Sequence, residues 1–181
     1  MAEKRSSRKP GSDNAYDLAQ STGHWVRGAH RFFQQLLQAQ LAPYGVKLSH
    51  WHFLRYLWEE DGLTQRELSR RVHVRESTTV AVVKEMENMG LITRVRDKND
   101  RRKYAICFTP KGKRLTRKLL PISKAVNELG TADFTEAEVE LYQTLTRRII
   151  ANLVKALPTA GGTDLGPAAD DPSSLPPPWS D

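Results

Sequence analysis

The chain has 181 residues, 39% of them hydrophobic and 27% charged, enough to bury one sizeable core, so a single globular domain is the simplest expectation. Its 28 Lys and Arg against 21 Asp and Glu give a formal net charge of +7 and a pI near 9.7, which implies an acidic partner, either nucleic acid or an anionic membrane surface. No apolar run is long enough to span a bilayer, and Lys4, Arg5, Arg8 and Lys9 precede no apolar core, so a cytoplasmic protein without a membrane partner is expected. Cys107 is the single cysteine and excludes an internal disulfide or a thiolate metal cluster.

The ends differ from the middle. Residues 1–12 are rich in Ser, Gly and cations, and residues 158–181 combine Gly, "LPPPW" and four Asp with no Lys or Arg. Both are expected to be disordered tails. Setting aside +3 from the first and −4 from the second leaves +8 on the residues between them, so the basicity belongs to the globular part. The acidic tail reads as an inert solvated segment, with screening of the basic face as the alternative.

Between the tails, helical periodicity dominates. Leu18, Thr22, Trp25, Val26, Ala29, Phe32, Phe33, Leu36, Leu37 and Leu41 recur at spacings of three and four, which predicts one long amphipathic helix ending before Pro43. In "LSHWHFLRYLWEEDG", Ser49 is the expected N-cap, Trp51, Leu54, Leu57 and Trp58 share a face, and Gly62 is the expected stop. "TQRE" at 64–67 is a capping box opening a short helix to about Val72. After a tight turn, "VHVRESTTVAVVKEMENMG" predicts a helix that buries Thr79, Val82, Val83 and Met86 and ends at Gly90. Its outer face carries Ser77, Thr78, Ala81 and Lys84. A capped helix, a brief turn and a second helix with small polar residues on its outer first turn is the helix-turn-helix pattern, although two packed helices occur in many helical proteins.

"LITRVR" and "KYAICF" then alternate with period two, placing Tyr104, Ile106 and Phe108 on one face of a hairpin and Lys103, Ala105 and Cys107 on the other. Between them lies "DKNDRRK", seven residues without an apolar side chain. Eleven Lys or Arg against two acids lie between Arg94 and Lys118, a density that phosphate neutralisation explains. A carboxylate such as Asp97 or Asp100 could hold a guanidinium in a fixed direction, so that a neighbouring Arg projects toward a narrow minor groove. An ordinary solvated turn is the alternative; the position directly after the two helices favours a wing.

The run from "LTQREL" through "MGLITR", "DKNDRRK" and "TPKG" resembles the MarR-type winged helix-turn-helix regulators, and the resemblance extends over about residues 15–157. It implies a mainly α fold with a small β-hairpin wing, in one domain over 13–157. Dimerisation helices would occupy 15–42 and 111–157, and the winged helix-turn-helix 48–110. It further implies a homodimer over a pseudo-palindromic operator in double-stranded DNA. Arg102 would enter the minor groove, braced by Asp100 and Arg101. Arg75, Ser77, Thr78, Ala81 and Lys84 would face bases and phosphates, with Arg96, Lys98 and Lys103 adding wing contacts. The chain departs from many relatives at Glu76, where they carry Pro, and at Ala81, where they carry Arg, so no target sequence transfers with the resemblance.

The C-terminal part fits that picture. Pro110 begins a helix that Pro121 should kink, "TEAE" at 135–138 is a second capping box, and Val139, Tyr142, Leu145, Ile149, Leu153 and Leu157 mark an apolar stripe. Apolar-striped helices at opposite chain ends suit an intertwined dimer, with an intrachain bundle as the alternative.

Chemistry is sparse. His24, His30, His50, His52 and His73 do not form a metal-binding spacing, and no phosphate loop, nucleophile elbow or carboxylate pair appears, so neither an enzyme nor a metal or cofactor site is expected. Cys107 reads as a small strand residue, with a redox sensor as the alternative. The resemblance implies a small aromatic carboxylate, phenolic or acyl-CoA effector. Trp25, His30, Trp51, His52 and Arg55 could supply stacking and a carboxylate partner, while Trp25 and Trp51 also lie on apolar faces that suit a core. Two functions compete: a ligand-responsive, sequence-specific repressor, and a non-specific architectural DNA-binding protein.

Overall fold

The structure, a computed structural model, describes residues 18–96 and 104–157. The expected tails at 1–12 and 158–181, and the wing-tip residues Lys98, Asp100, Arg101, Arg102 and Lys103, lie outside the described residues. Among the described residues six α-helices and a small sheet occur in chain order: α1 (Thr22–Leu41), α2 (Leu48–Glu59), β1 (Leu63–Thr64), α3 (Gln65–Val72), α4 (Glu76–Asn88), β2 (Ile92–Arg96), β3 (Tyr104–Phe108), α5 (Pro110–Gly130) and α6 (Glu136–Ala156).

The first helix starts later than the apolar period alone predicts. Leu18–Gln20 forms a short 3-10 turn, and Ser21 caps α1 by accepting a hydrogen bond from the His24 N–H at 3.2 Å. Satisfying an orphan amide at that point outweighs one more apolar position upstream. At the far end Pro43 lies in a second 3-10 turn, Ala42–Tyr44, and Gly45 at φ 68° reverses the chain.

Two expectations at α2 are corrected. Lys47, not Ser49, is the N-cap, and Ser49 lies inside the first turn. The Lys47 N–H donates to Nδ1 of His50 at 3.3 Å, so an imidazole takes over the task expected of a hydroxyl. The helix ends at Glu59, before Gly62. Gly62, at φ 92°, instead turns the chain into β1 and donates its N–H to the Ile106 carbonyl at 3.0 Å.

No sequence pattern marks that strand. β1 is two residues long and pairs antiparallel with β3, giving the sheet order β1-β3-β2, with Leu63 opposite Ile106 and Ile92 opposite Phe108. Ile106 and Phe108 are buried as the alternation predicts, while Tyr104 at the strand's start is exposed.

The core gathers around α2, whose Trp51, Phe53, Leu54 and Leu57 meet Leu68, Val83, Met86, Leu91, Ile106 and Leu119. Trp58 sits at the rim, edge-on to Phe108 at 6.4 Å. α5 runs as one helix through Pro121, whose ring leaves the Arg117 carbonyl without its usual partner amide. Its start is pressed onto the end of the helix-turn-helix: a Cβ on Gly112 would lie 1.9 Å from the Leu91 carbonyl oxygen. Farther along, the Phe33 ring of α1 occupies the space a side chain at Gly130 would need.

The terminal helices are incompletely covered. α1 buries only Leu41, and α6 buries none of its residues. Phe32 is 67% exposed, Trp25 62% and Leu153 62%, so among the described residues the apolar stripes read from the sequence are left partly uncovered.

Candidate nucleic-acid interface

The turn from α3 to α4 is built from local rules. Thr64 accepts from the Glu67 N–H at 3.2 Å while the Glu67 carboxylate accepts from the Thr64 N–H at 2.7 Å, the reciprocal capping box expected from "TQRE". These bonds to Thr64, backbone first, hold the Glu67 carboxyl below its ordinary value. His73 closes α3 in the left-handed region at φ 56°, which lets the chain reverse within three residues before α4.

α4 then presents its two faces as the period predicts. Thr79, Val82, Val83 and Met86 are buried, and Arg75, Ser77, Thr78, Ala81 and Lys84 are exposed. Val80 joins them, an exposed β-branched residue that lies off the buried period of Thr79, Val82, Val83 and Met86. Glu76, whose carboxylate suits the helix start but would repel a phosphate, lies 3.9 Å from Arg66, an exposed pair that partly offsets its charge.

The wing strands leave α4 through a hydrogen-bonded corner. Thr109 Oγ1 donates to the Gly90 carbonyl at 2.7 Å, and the Thr109 N–H to the Leu91 carbonyl at 3.0 Å. Three of the eleven cations between Arg94 and Lys118 serve this frame: Arg94 lies 3.3 Å from Glu87, Lys111 donates to the Met89 carbonyl at 2.7 Å, and Lys113 lies 3.1 Å from Asp61. Phosphate contact therefore does not account for the whole cluster. Arg96, at the end of β2, stacks over the Tyr104 ring at 6.0 Å, where the chain enters the tip.

A second site lies away from this surface. Arg27, His30, Arg31, Gln34, Gln35 and Gln38 of α1, with Leu48 of α2, line an open crevice of about 560 Å³. Burial, then the charges of His30 and Arg55, push His52 below the ordinary imidazole value, so these three predicted residues share one neighbourhood. Arg55 also lies 3.5 Å from Glu59. The two tryptophans are elsewhere. Trp51 is 2% exposed and belongs to the core, whereas Trp25 is exposed and donates its indole N–H to the Ala19 carbonyl at 2.8 Å. The sequence signal for the crevice is the polar period 27, 30, 31, 34, 38 on α1, opposite its apolar stripe.

His50 and His52 diverge. The first reaches Glu85 of α4 at 2.9 Å, while the second feels the charges of His30 and Arg55. Among the described residues no three His, Cys, Asp or Glu gather closely enough to hold a metal, and no helix is long and apolar enough to cross a membrane. Burial, then Asp61, push the Cys107 thiol upward, which disfavours the reactive thiolate.

Residues 46–104 match the sequence profile of the MarR family. The regulator TtmR of Methylorubrum extorquens is 29% identical over 109 residues, which cover 60% of this chain and 56% of TtmR, so the match spans little more than half of that relative. The Streptomyces coelicolor regulator PcaV, solved in complex with its natural ligand, superposes with a TM-score of 0.66 at 28% identity, covering 75% of this chain and 96% of PcaV. CouR of Rhodococcus jostii RHA1, solved with p-coumaroyl-CoA, shares the fold at a TM-score of 0.68 and 22% identity, covering 82% of this chain and all of CouR. With a helix-turn-helix and wing strands inside the matched residues and long helices on either side, residues 46–104 form a MarR-type winged helix-turn-helix module within a fold that the chain shares with PcaV.

Proposed function

We propose that the chain is a sequence-specific, double-stranded DNA-binding repressor that works in the cytoplasm as a homodimer and is released by a small aromatic acid or a related phenolic or acyl-CoA effector. The observation that carries DNA reading is α4 itself. Its inner face is locked into the core while its outer face offers short side chains and Lys84 over the first turns, the geometry a major groove admits. Arg102 at the wing tip would enter the adjacent minor groove with Asp100 and Arg101 beside it, and Arg96, Lys98 and Lys103 would meet phosphates.

The uncovered apolar faces of α1 and α6 support the dimer, with α5 joining them to the winged module, on whose core it packs. Two such modules related by a two-fold axis read a pseudo-palindromic operator. The cationic crevice supports the effector class. Arg27, His30 and Arg31, with His52 and Arg55 nearby, suit a carboxylate or phosphate, and Gln34 can bond a phenol. A ligand there represses or releases only through unequal affinity for the two arrangements of the dimer.

The test is duplex binding across a salt series, comparing DNA flanking the protein's own coding region with a scrambled duplex, for the wild type and for Arg102→Ala and Lys84→Ala. Preference for the flanking DNA by orders of magnitude, weakened in both variants and relieved by p-coumarate or p-coumaroyl-CoA, is the expected result. Equal binding to both duplexes at every salt would replace this reading with a non-specific architectural one.

A further inference from the structure

His50 is a buried polar side chain that neither the DNA face nor the crevice uses directly. It is 2% exposed, in the first turn of α2. Its Nδ1 faces the Lys47 N–H at 3.3 Å, and because a backbone amide can only donate, Nδ1 must accept. The ring proton therefore sits on Nε2, which donates to Glu85 Oε2 at 2.9 Å. Lys47 Nζ reaches the same oxygen at 2.8 Å, but from an exposed position where an ion pair contributes little. The imidazole bond is the buried part of the link.

The segment holding His50 is itself tied to α1. The Leu48 N–H donates to Gln38 Oε1 at 2.7 Å, and Gln38 Nε2 donates to the Val46 carbonyl at 3.4 Å. Gln38 lines the crevice. A continuous set of hydrogen bonds therefore runs from the crevice wall through residues 46–50 to the third turn of α4.

Val82, Val83 and Met86 set how deeply α4 sits and the corner at Gly90 and Thr109 holds its end, while the His50–Glu85 bond adds a directional tie from α2 to its third turn. One residue of slip is a rise of about 1.5 Å, enough to carry Ser77, Thr78 and Ala81 out of register with base edges. We propose that His50 and Glu85 are positioning residues for DNA reading, fixing the axial register of α4 against α2. The proposal rests on α4 being the reading helix.

The test measures the ratio of affinity for the flanking duplex to that for a scrambled duplex, using the full chain. Gln at position 50 can place a donor near the Nε2 site, whereas Asn mimics only Nδ1 and keeps the Lys47 cap. His50→Gln should hold the ratio within about threefold of wild type, and His50→Asn should lower it about tenfold, the loss of one hydrogen bond to a charged acceptor. Glu85→Ala, at a half-exposed position that cannot fail through core collapse, should lower it equally, and the His50→Asn/Glu85→Ala double variant should fall no further. Affinity for the scrambled duplex should follow the charge change alone. Equal losses for Gln and Asn would reduce His50 to a helix cap and overturn the proposal, as would a double variant that falls by the product of the singles. A Glu85→Ala ratio equal to wild type overturns it even if both His50 variants fail to fold. A wild type that does not discriminate between the duplexes has a different signature and removes the premise that α4 reads sequence.

Discussion

Replacing Gly112 with Ala sets two effects of known sign against each other. Ala is the better helix former by about 1 kcal/mol, and Gly112 lies in the first turn of α5, so propensity alone predicts a more stable protein. The added Cβ, however, would stand 1.9 Å from the Leu91 carbonyl oxygen, 2.8 Å from its carbon and 2.9 Å from Phe108 Cδ1. The ring can turn aside; the carbonyl cannot, because it accepts the Thr109 N–H at 3.0 Å and shares with the Gly90 carbonyl the single proton of the Thr109 hydroxyl. Restoring ordinary contact means moving the start of α5 more than about 1 Å from the α4–β2 corner, out to van der Waals separation. That movement loses two hydrogen bonds at about 1 kcal/mol each and strains the packing by about 1–3 kcal/mol. Less the propensity gain, Gly112→Ala should destabilise by about 2–4 kcal/mol. Urea unfolding followed by far-ultraviolet circular dichroism, at one protein concentration for both proteins, measures this. A variant as stable as wild type, or more so, would mean that the close approach does not exist and propensity decides.

Leu153→Glu or Phe32→Glu should convert a dimer to a monomer in analytical ultracentrifugation while leaving helical content intact; unchanged sedimentation would place the interface elsewhere. Thr64→Ala removes the cap of α3 and should cost about 1 kcal/mol. Because the folded Glu67 carboxyl lies below its ordinary value, its contribution is full above that ordinary value and is lost as pH falls through the depressed one. Thr64→Ala should therefore flatten the acid limb of stability, and an identical limb in urea titrations of both proteins would contradict this. An anionic ligand in the crevice should raise the depressed His52 toward its ordinary value, so binding takes up a proton and p-coumarate affinity should rise as pH falls below about 7. Calorimetric affinities that do not change with pH would place the carboxylate away from His52.

Elements whose rules are local are legible in the sequence. The capping boxes at Thr64 and Thr135, the buried stripe of α4 and the pairing of the two wing strands all arise from residues within a few positions of one another or from a simple alternation. What is not legible depends on distant partners. β1 is too short to carry an alternation and exists because β3 offers it an edge. Trp51 and Trp25 look alike on their helices, yet one meets the core and the other stays exposed among the described residues. His50 offers itself in the sequence only as a metal-ligand candidate, since Glu85 lies 35 residues away and no spacing rule connects them. On α1 the apolar stripe masks a second, polar period that lines the crevice.

Thr64 belongs to two elements at once, the last residue of β1 and the N-cap of α3. Through Ala105, its partner in β3, and Leu63 opposite Ile106 beside it, the strands beyond α4 and the helix before it share an anchor two residues wide. A winged module so joined behaves as a casting with two working edges, and the span between them is a constant of the part. On the proposed function, variation in operator geometry would have to be absorbed where α1, α5 and α6 carry the module, which would make those helices the adjustable joint and a crevice beside α1 a place from which a ligand could disturb binding.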